Sequence, residues 1–223
     1  MKPERLIDST ATPSGDELFL YERDGVFTLR IGGIELMTSR VHDSEEELAR
    51  MAMKLVDPRL RPRVLVGGLG MGYTTRAALD SAAKPTEVVV AELLPAVVGW
   101  NRDHLAELAG RPLEDPRVSI VERDLYDVIA DSPQAFDVIL NDVDNGPAGC
   151  SWERNERLYR AAGLAAIRRC LRPKGVLGVW CADPDPRFEK TLSSAGFRVH
   201  CANVYARNVS KGHMHTVFIG QLP

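Results

Sequence analysis

The densest group of chemically capable residues in this 223-residue chain is Asn141-Asp142-Val143-Asp144-Asn145-Gly146-Pro147-Ala148-Gly149. Two carboxylates and two amides open a loop directly behind the apolar run Phe136-Asp137-Val138-Ile139-Leu140. Carboxylates so placed can hold an amine and, when ionised, take a proton from it. A loop rich in Asx turns has the same composition without that chemistry. Earlier in the chain, Val64-Leu65-Val66 runs into Gly67-Gly68-Leu69-Gly70-Met71-Gly72. Glycines permit positive φ and close backbone approach to a ligand, and a helix start beyond them offers unpaired N–H groups. Glu92 ends the next apolar run, about twenty residues further on, where a carboxylate can accept both ribose hydroxyls of an adenosine. Asp124 follows a third run, in Glu122-Arg123-Asp124. It can accept from an adenine amino group or cap a helix.

These residues are functional only if the elements around them bring them together. From Arg63 onward, short apolar runs alternate with helical segments near Tyr73–Ala83, Ala96–Ala109, Tyr126–Ala130, Glu153–Leu171 and Phe188–Ala195. That alternation predicts a parallel sheet covered on both faces. Phe197-Arg198-Val199 and His215-Thr216-Val217-Phe218-Ile219 leave little room for a helix between them, so the last two strands form an antiparallel pair. The expected fold is a methyltransferase-type Rossmann sheet of seven mostly parallel strands, which binds ligands beyond the carboxyl ends of its strands. Residues 1–42 are read as a separate small unit and 43–223 as the nucleoside-binding catalytic domain. In the small unit, a loose lead-in precedes a three-stranded antiparallel meander turning at Asp24-Gly25 and Gly32-Gly33, both strong hairpin signals. A charged helix capped at Ser44 follows and ends at Asp57-Pro58.

Taken together, Gly67-Gly68, Glu92, Asp124 and Phe136–Asp142 with Pro147-Ala148-Gly149 resemble the polyamine aminopropyltransferase (spermidine synthase) family over most of the chain. The resemblance implies binding of decarboxylated S-adenosylmethionine and transfer of its aminopropyl group to an amine, without a metal. It implies that Glu92 holds the ribose, Asp124 the adenine, and that Asp142 deprotonates the attacking amine. It also implies a homodimer formed partly through the meander. Three positions depart from the family. The aspartate of its glycine loop falls on Gly70, the second acid of its Asp-Ser-x-Asp loop falls on Asn145 beside Asp144, and its Tyr-x-Glu falls on Ser44-Glu45-Glu46. Glu46 thereby becomes a candidate for the acceptor pocket, as does Trp152 as a wall. The three changes point to an amine-like acceptor other than a standard polyamine.

Gly68-Leu69-Gly70-Met71-Gly72 also has the Gly-x-Gly-x-Gly spacing of S-adenosylmethionine methyltransferases, so the donor is expected to be either form of the sulfonium nucleoside. An inactive nucleoside-binding or interaction module is the alternative from another class, since fold does not guarantee activity. A nicotinamide-dependent dehydrogenase lacks its usual Gly-x-Gly-x-x-Gly here. With 28 basic and 31 acidic residues the net charge is −3, which argues against a nucleic-acid partner. No apolar run approaches the roughly 20 residues of a membrane span, and the amino-terminal residues have no secretion-signal pattern. Cys150, Cys170, Cys181 and Cys201 are too widely spaced in sequence for a redox or zinc pair. A cytoplasmic protein with reduced thiols is expected. His213 and His215 fall on one strand face and read as surface or partner-facing residues, and Trp100 as packing. His42 could overhang the cleft as a base.

Overall fold

A computed structural model describes residues 3–82, 85–143, 145–147, 153–207 and 212–223, with 153 and 154 as backbone only. The amino-terminal unit is an antiparallel sheet of four strands in the order β1-β2-β3-β4, namely β1 Arg5–Ala11, β2 Glu17–Arg23, β3 Val26–Ile31 and β4 Ile34–Thr38. Both predicted hairpins form. Asp24-Gly25 and Gly32-Gly33 each have positive φ at both positions and close two-residue loops across Arg23↔Val26 and Ile31↔Ile34. Two positive-φ residues match the right-handed twist of the strands they join.

The loose lead-in is corrected by the structure. β1 is a strand, and the meander therefore has four strands rather than three. Its apolar pair Leu6-Ile7 lacks strict alternation, and a register shift between Leu6 and Asp8 accommodates it. Its anchor is distant in sequence: the Trp100 indole N–H donates to Asp8 Oδ2 at 2.7 Å.

The second sheet has seven strands in the order β10-β11-β9-β8-β5-β6-β7. In chain order they are β5 Arg63–Gly67, β6 Glu87–Ala91, β7 Val118–Val121, β8 Phe136–Asn141, β9 Leu171–Cys181, β10 Arg198–Tyr205 and β11 Met214–Gln221. β11 runs opposite to the other six strands. The helices are α1 Asp43–Met53, α2 Tyr73–Ser81, α3 Pro95–Arg102, α4 Leu125–Ala130, α5 Glu153–Tyr159, α6 Ala161–Cys170 and α7 Pro186–Ser194. Among the described residues, no helix is long and apolar enough to cross a membrane. Cys170, Cys181 and Cys201 are free thiols, and Cys150 lies outside the described residues.

Strand alternation divides the core between the two faces of the sheet. Val64, Val66, Val88, Val90, Val138 and Leu140 join the cluster that includes α1, α2 and α3 residues. Leu65, Val89, Ile139, Leu177 and Val179 join the one that includes α4 to α7 residues. The helix expected over Glu153–Leu171 is two helices, broken at Arg160, whose backbone is extended. Gly163 packs so tightly against the Arg157 and Leu158 carbonyls that any Cβ would collide with them. The charged helix also ends earlier than expected, at Met53, and its cap residue is His42 rather than Ser44.

Candidate active site

Apolar strands bring Gly67, Glu92 and Asp142 to the same edge of the sheet, because β5, β6 and β8 are parallel neighbours in register at Gly67, Ala91 and Asn141. One cavity opens there, lined by Gly68, Gly70, Glu92, Asp124, Asp142 and Asn145 among others. The amino-terminal sheet supplies an apolar part of its wall through Leu18, Leu29, Leu36 and Met37.

Gly68 shows why a glycine is required in the turn. Its φ is +83°, and a Cβ would lie 2.5 Å from the Asp142 carbonyl oxygen. The turn can therefore lie against the Asp142 loop only without a side chain. Gly67 and Gly72 serve the scaffold rather than the cavity lining. A Cβ on Gly67 would collide with Leu125, and Gly72 caps α2 with a φ of +87°.

The Glu92 carboxylate is 8% exposed. Its Oε2 accepts from the Leu69 N–H at 2.9 Å and its Oε1 from the Leu94 N–H at 2.8 Å. Burial pushes its pKa up, and backbone N–H bonds from Leu94, Leu69 and Leu93 oppose that rise. A carboxylate has about four acceptor positions, so an oxygen bonded to one amide can still receive a hydroxyl. A ribose diol fits this arrangement.

Asp124 is a helix cap that also faces the cavity. It caps α4 by accepting from the Tyr126 N–H at 2.8 Å, pairs with Arg157 at 2.6 Å, and lines the cavity.

At the other end, Asp142 Oδ2 accepts from the Thr74 hydroxyl at 2.5 Å. Burial holds the Asp142 pKa well above the usual carboxylate range; the nearby Glu45 charge adds to the shift, and the Thr74 hydroxyl opposes it. Glu45 lines the same cavity at 7% exposed, and burial raises its pKa too. Two carboxylates of this kind resist ionising together.

Glu46, the residue proposed from the sequence, is outside this lining. It bonds His42 Nδ1 at 2.8 Å and pairs with Arg50 on the outer side of α1. Helix spacing carries part of this distinction, and the seating of α1 on the sheet decides it. Glu45 precedes Leu48, Ala49 and Ala52 by three, four and seven residues and so shares their buried stripe.

Thr74, Trp180 and Asn155 also line the cavity and carried no signal of their own. Asn145 lies in the lining, and its carbonyl accepts from the Ala182 N–H at 3.1 Å. Asp144 and Trp152 lie outside the described residues. His42 stacks on Tyr73 with ring centroids 3.8 Å apart and is not part of the lining. His215, read as a surface residue, is half-buried and bonded to Ser44, a partner 171 residues away in sequence. The described residues bring no third metal ligand to His213 and His215.

The strand order, with β11 reversed, and the glycine turn facing acidic strand ends define a class I methyltransferase-type fold. Residues 42–195 match the family described as spermine/spermidine synthase domain, and the chain belongs to that family. It is 30% identical over 155 residues to a polyamine aminopropyltransferase of Synechococcus sp., covering 65% of this chain and 47% of that protein. It is 30% identical over 192 residues to polyamine aminopropyltransferase 2 of Pseudomonas aeruginosa, covering 81% and 52%. The chain thus spans about half the length of these curated relatives. The spermidine synthase from Thermotoga maritima shares its fold, with a TM-score of 0.76 at 22% identity, covering 98% of this chain and 73% of that one.

Proposed function

We propose that this chain transfers an alkyl group, by preference aminopropyl, from a sulfonium nucleoside to an amine. The observation that carries this reading is the charge of the cavity. Glu45, Glu92, Asp124 and Asp142 line it, and Arg123 is the one basic side chain among the described lining residues. Arg123 is itself paired with Asp131 at 2.6 Å. Such a lining favours a cationic acceptor amine and a donor that lacks the amino-acid carboxylate.

In this reading Glu92 holds the ribose hydroxyls and Asp124 the adenine edge, with the glycine turn lying against the nucleoside. The bound sulfonium supplies the electrophilic carbon and a neutral thioether leaving group. Asp142 takes the proton of the acceptor ammonium, since a raised pKa brings a carboxylate nearer to the operating pH of a general base. Glu45 steadies the cation, and Trp180 and Asn145 shape its pocket; Asp144 and Trp152 remain candidates for the acceptor on sequence alone. A serine, a glycine and an asparagine at three positions where the family usually carries tyrosine and aspartates favour an amine other than a standard polyamine. Dimerisation through the amino-terminal sheet is supported by Leu6 and Ile34, which are 50% and 68% exposed.

A methyltransferase is the second reading, favoured by the absence of an acidic side chain at Gly70. Calorimetry with S-adenosylmethionine, its decarboxylated form, S-adenosylhomocysteine and methylthioadenosine separates the two. Aminopropyl transfer requires tighter binding of the decarboxylated donor and methylthioadenosine, followed by product formation on an amine panel. Preference for the carboxylated pair refutes it in favour of methyl transfer, and binding without any turnover favours an inactive module.

A further inference from the structure

Alkylating an ammonium ion releases one proton per turnover. The N–C bond forms, the C–S bond breaks with its electron pair left on sulfur, and the product amine keeps one hydrogen fewer than the acceptor brought. With nucleoside and amine filling the cavity, that proton needs an exit, and the structure contains a hydrogen-bonded chain that crosses the wall. Glu45 faces the cavity. Its Oε2 accepts from the Ser44 hydroxyl at 2.5 Å, and Ser44 Oγ lies 2.8 Å from His215 Nδ1. Ser44 is 0% exposed, His215 is half-buried, and the neighbouring His213 is exposed.

The Ser44 oxygen has one hydrogen and two lone pairs. The Trp180 indole N–H donates to it at 3.1 Å, which occupies one lone pair. With Glu45 ionised, the Ser44 hydrogen lies on the carboxylate, so His215 Nδ1 must be the second donor. With Glu45 protonated, the carboxyl hydrogen lies on Ser44 and the Ser44 hydrogen turns to an unprotonated Nδ1, which places the ring proton on Nε2. Trp180 fixes the geometry in both states and carries no proton itself. Ser44 is enclosed and fully bonded, which excludes it as a nucleophile open to substrate.

We infer that Glu45, Ser44 and His215 form a proton outlet that carries to solvent the proton taken up at Asp142. This rests on the amine-alkylation reading of the site. Atoms balance along the chain. The proton on Asp142 passes within the cavity to ionised Glu45, whose charge acts on Asp142, and leaves Asp142 ionised for the next acceptor. The Glu45 carboxyl proton then passes to Ser44 Oγ, the Ser44 hydrogen passes to His215 Nδ1, and Nε2 releases one proton to water. Burial, then the neighbouring His213, push the His215 pKa down to about 4, with Asp183 opposing. The ring is therefore neutral at rest and gives up a proton readily. Around Glu45 the titratable groups are His42, Asp43, Tyr73 and Asp142.

The test uses the full chain and two readouts. Imidazole ¹⁵N shifts report the His215 tautomer across a titration from about pH 5 to pH 8, where the ring stays neutral. The tautomer should change from Nε2–H to Nδ1–H as Glu45 ionises, and should not change with pH in Glu45→Gln. A tautomer that is invariant in the unmodified protein overturns the outlet. In the second readout, His215→Asn offers an N–H to Ser44 but has no second ring nitrogen. Its turnover should fall at least about tenfold, with donor affinity unchanged and activity restored by added imidazole. Turnover within twofold of the unmodified protein, or a loss that imidazole does not restore, overturns the outlet while leaving the alkylation reading intact. Absence of transfer by the unmodified protein with every donor and amine overturns the alkylation reading and, with it, the outlet.

Discussion

Gly70→Asp places a carboxylate in the glycine turn, where the family usually carries one. The backbone there has a φ of +51°, and a Cβ would sit 3.1 Å from Met37 Sδ and 3.7 Å from its Cε. Aspartate enters the left-handed region more readily than most residues, at a cost of roughly 1 kcal/mol. The Met37 chain is unbranched and can move a few tenths of an ångström, so the whole loss of stability should stay near about 1–2 kcal/mol. Against that stands a new attraction. A carboxylate and an ammonium about 4 Å apart at an effective dielectric of about 20 attract by about 4 kcal/mol before desolvation. A hydrogen bond to a charged group keeps about 1.5–3 kcal/mol of this. Binding of the decarboxylated donor should therefore tighten by about tenfold or more, at about 1.4 kcal/mol per factor of ten. Binding of the carboxylated donor should weaken. Paired calorimetric titrations of the two donors, with thermal denaturation as the stability control, measure both terms. The resemblance implies that the family's aspartate at this position meets the amine of the donor's aminopropyl tail, so equal changes for the two donors, or weaker binding of the decarboxylated one by a folded variant, would refute a donor tail lying beside Gly70.

Asp142→Asn should lower turnover at least about a hundredfold while donor affinity by calorimetry stays within about twofold. The same variant should melt at a higher temperature at neutral pH. The folded Asp142 pKa lies above the unfolded value near 3.8, so the native state loses stability as pH rises through the raised value, and asparagine removes that loss. Thr74→Val deletes the hydroxyl that favours the ionised form of Asp142. Its pH–rate profile should keep its shape with the acid limb moved to higher pH; a limb that moves down or stays in place would contradict the role of Asp142 as base. Gly68→Ala combines a positive φ with a Cβ 2.5 Å from the Asp142 carbonyl oxygen. Chemical denaturation should show a loss of about 2–4 kcal/mol, together with weaker donor binding.

Features governed by local backbone chemistry could be read from the residues alone. Asp24-Gly25 and Gly32-Gly33 make their turns because both positions of each tolerate positive φ. Val64-Leu65-Val66 and Val88-Val89-Val90 make buried strands because both faces are covered. The glycine turn, Glu92 and Asp142 follow from where those strands end. The four-strand sheet, the break at Arg160 and the wall of the cavity depend on distant contacts. β1 gains its anchor from Trp100, and Leu18, Leu29, Leu36 and Met37 reach the cavity from a separate sheet. The choice of Glu45 over Glu46 is a matter of helix rotation. Leu48 and Ala52 press α1 onto Gly178 of β9, where a Cβ would lie 2.9 Å from Leu48 Cδ1. That seating turns Glu45 inward and leaves Glu46 with His42 and Arg50. Residue types and short-range spacing thus determined the fold class and the placing of Gly68, Glu92, Asp124 and Asp142 at one cavity. The rotation of α1 and the bond between Ser44 and His215 were decided by tertiary packing, because side chains 171 residues apart acquire a relative position only when the core closes between them.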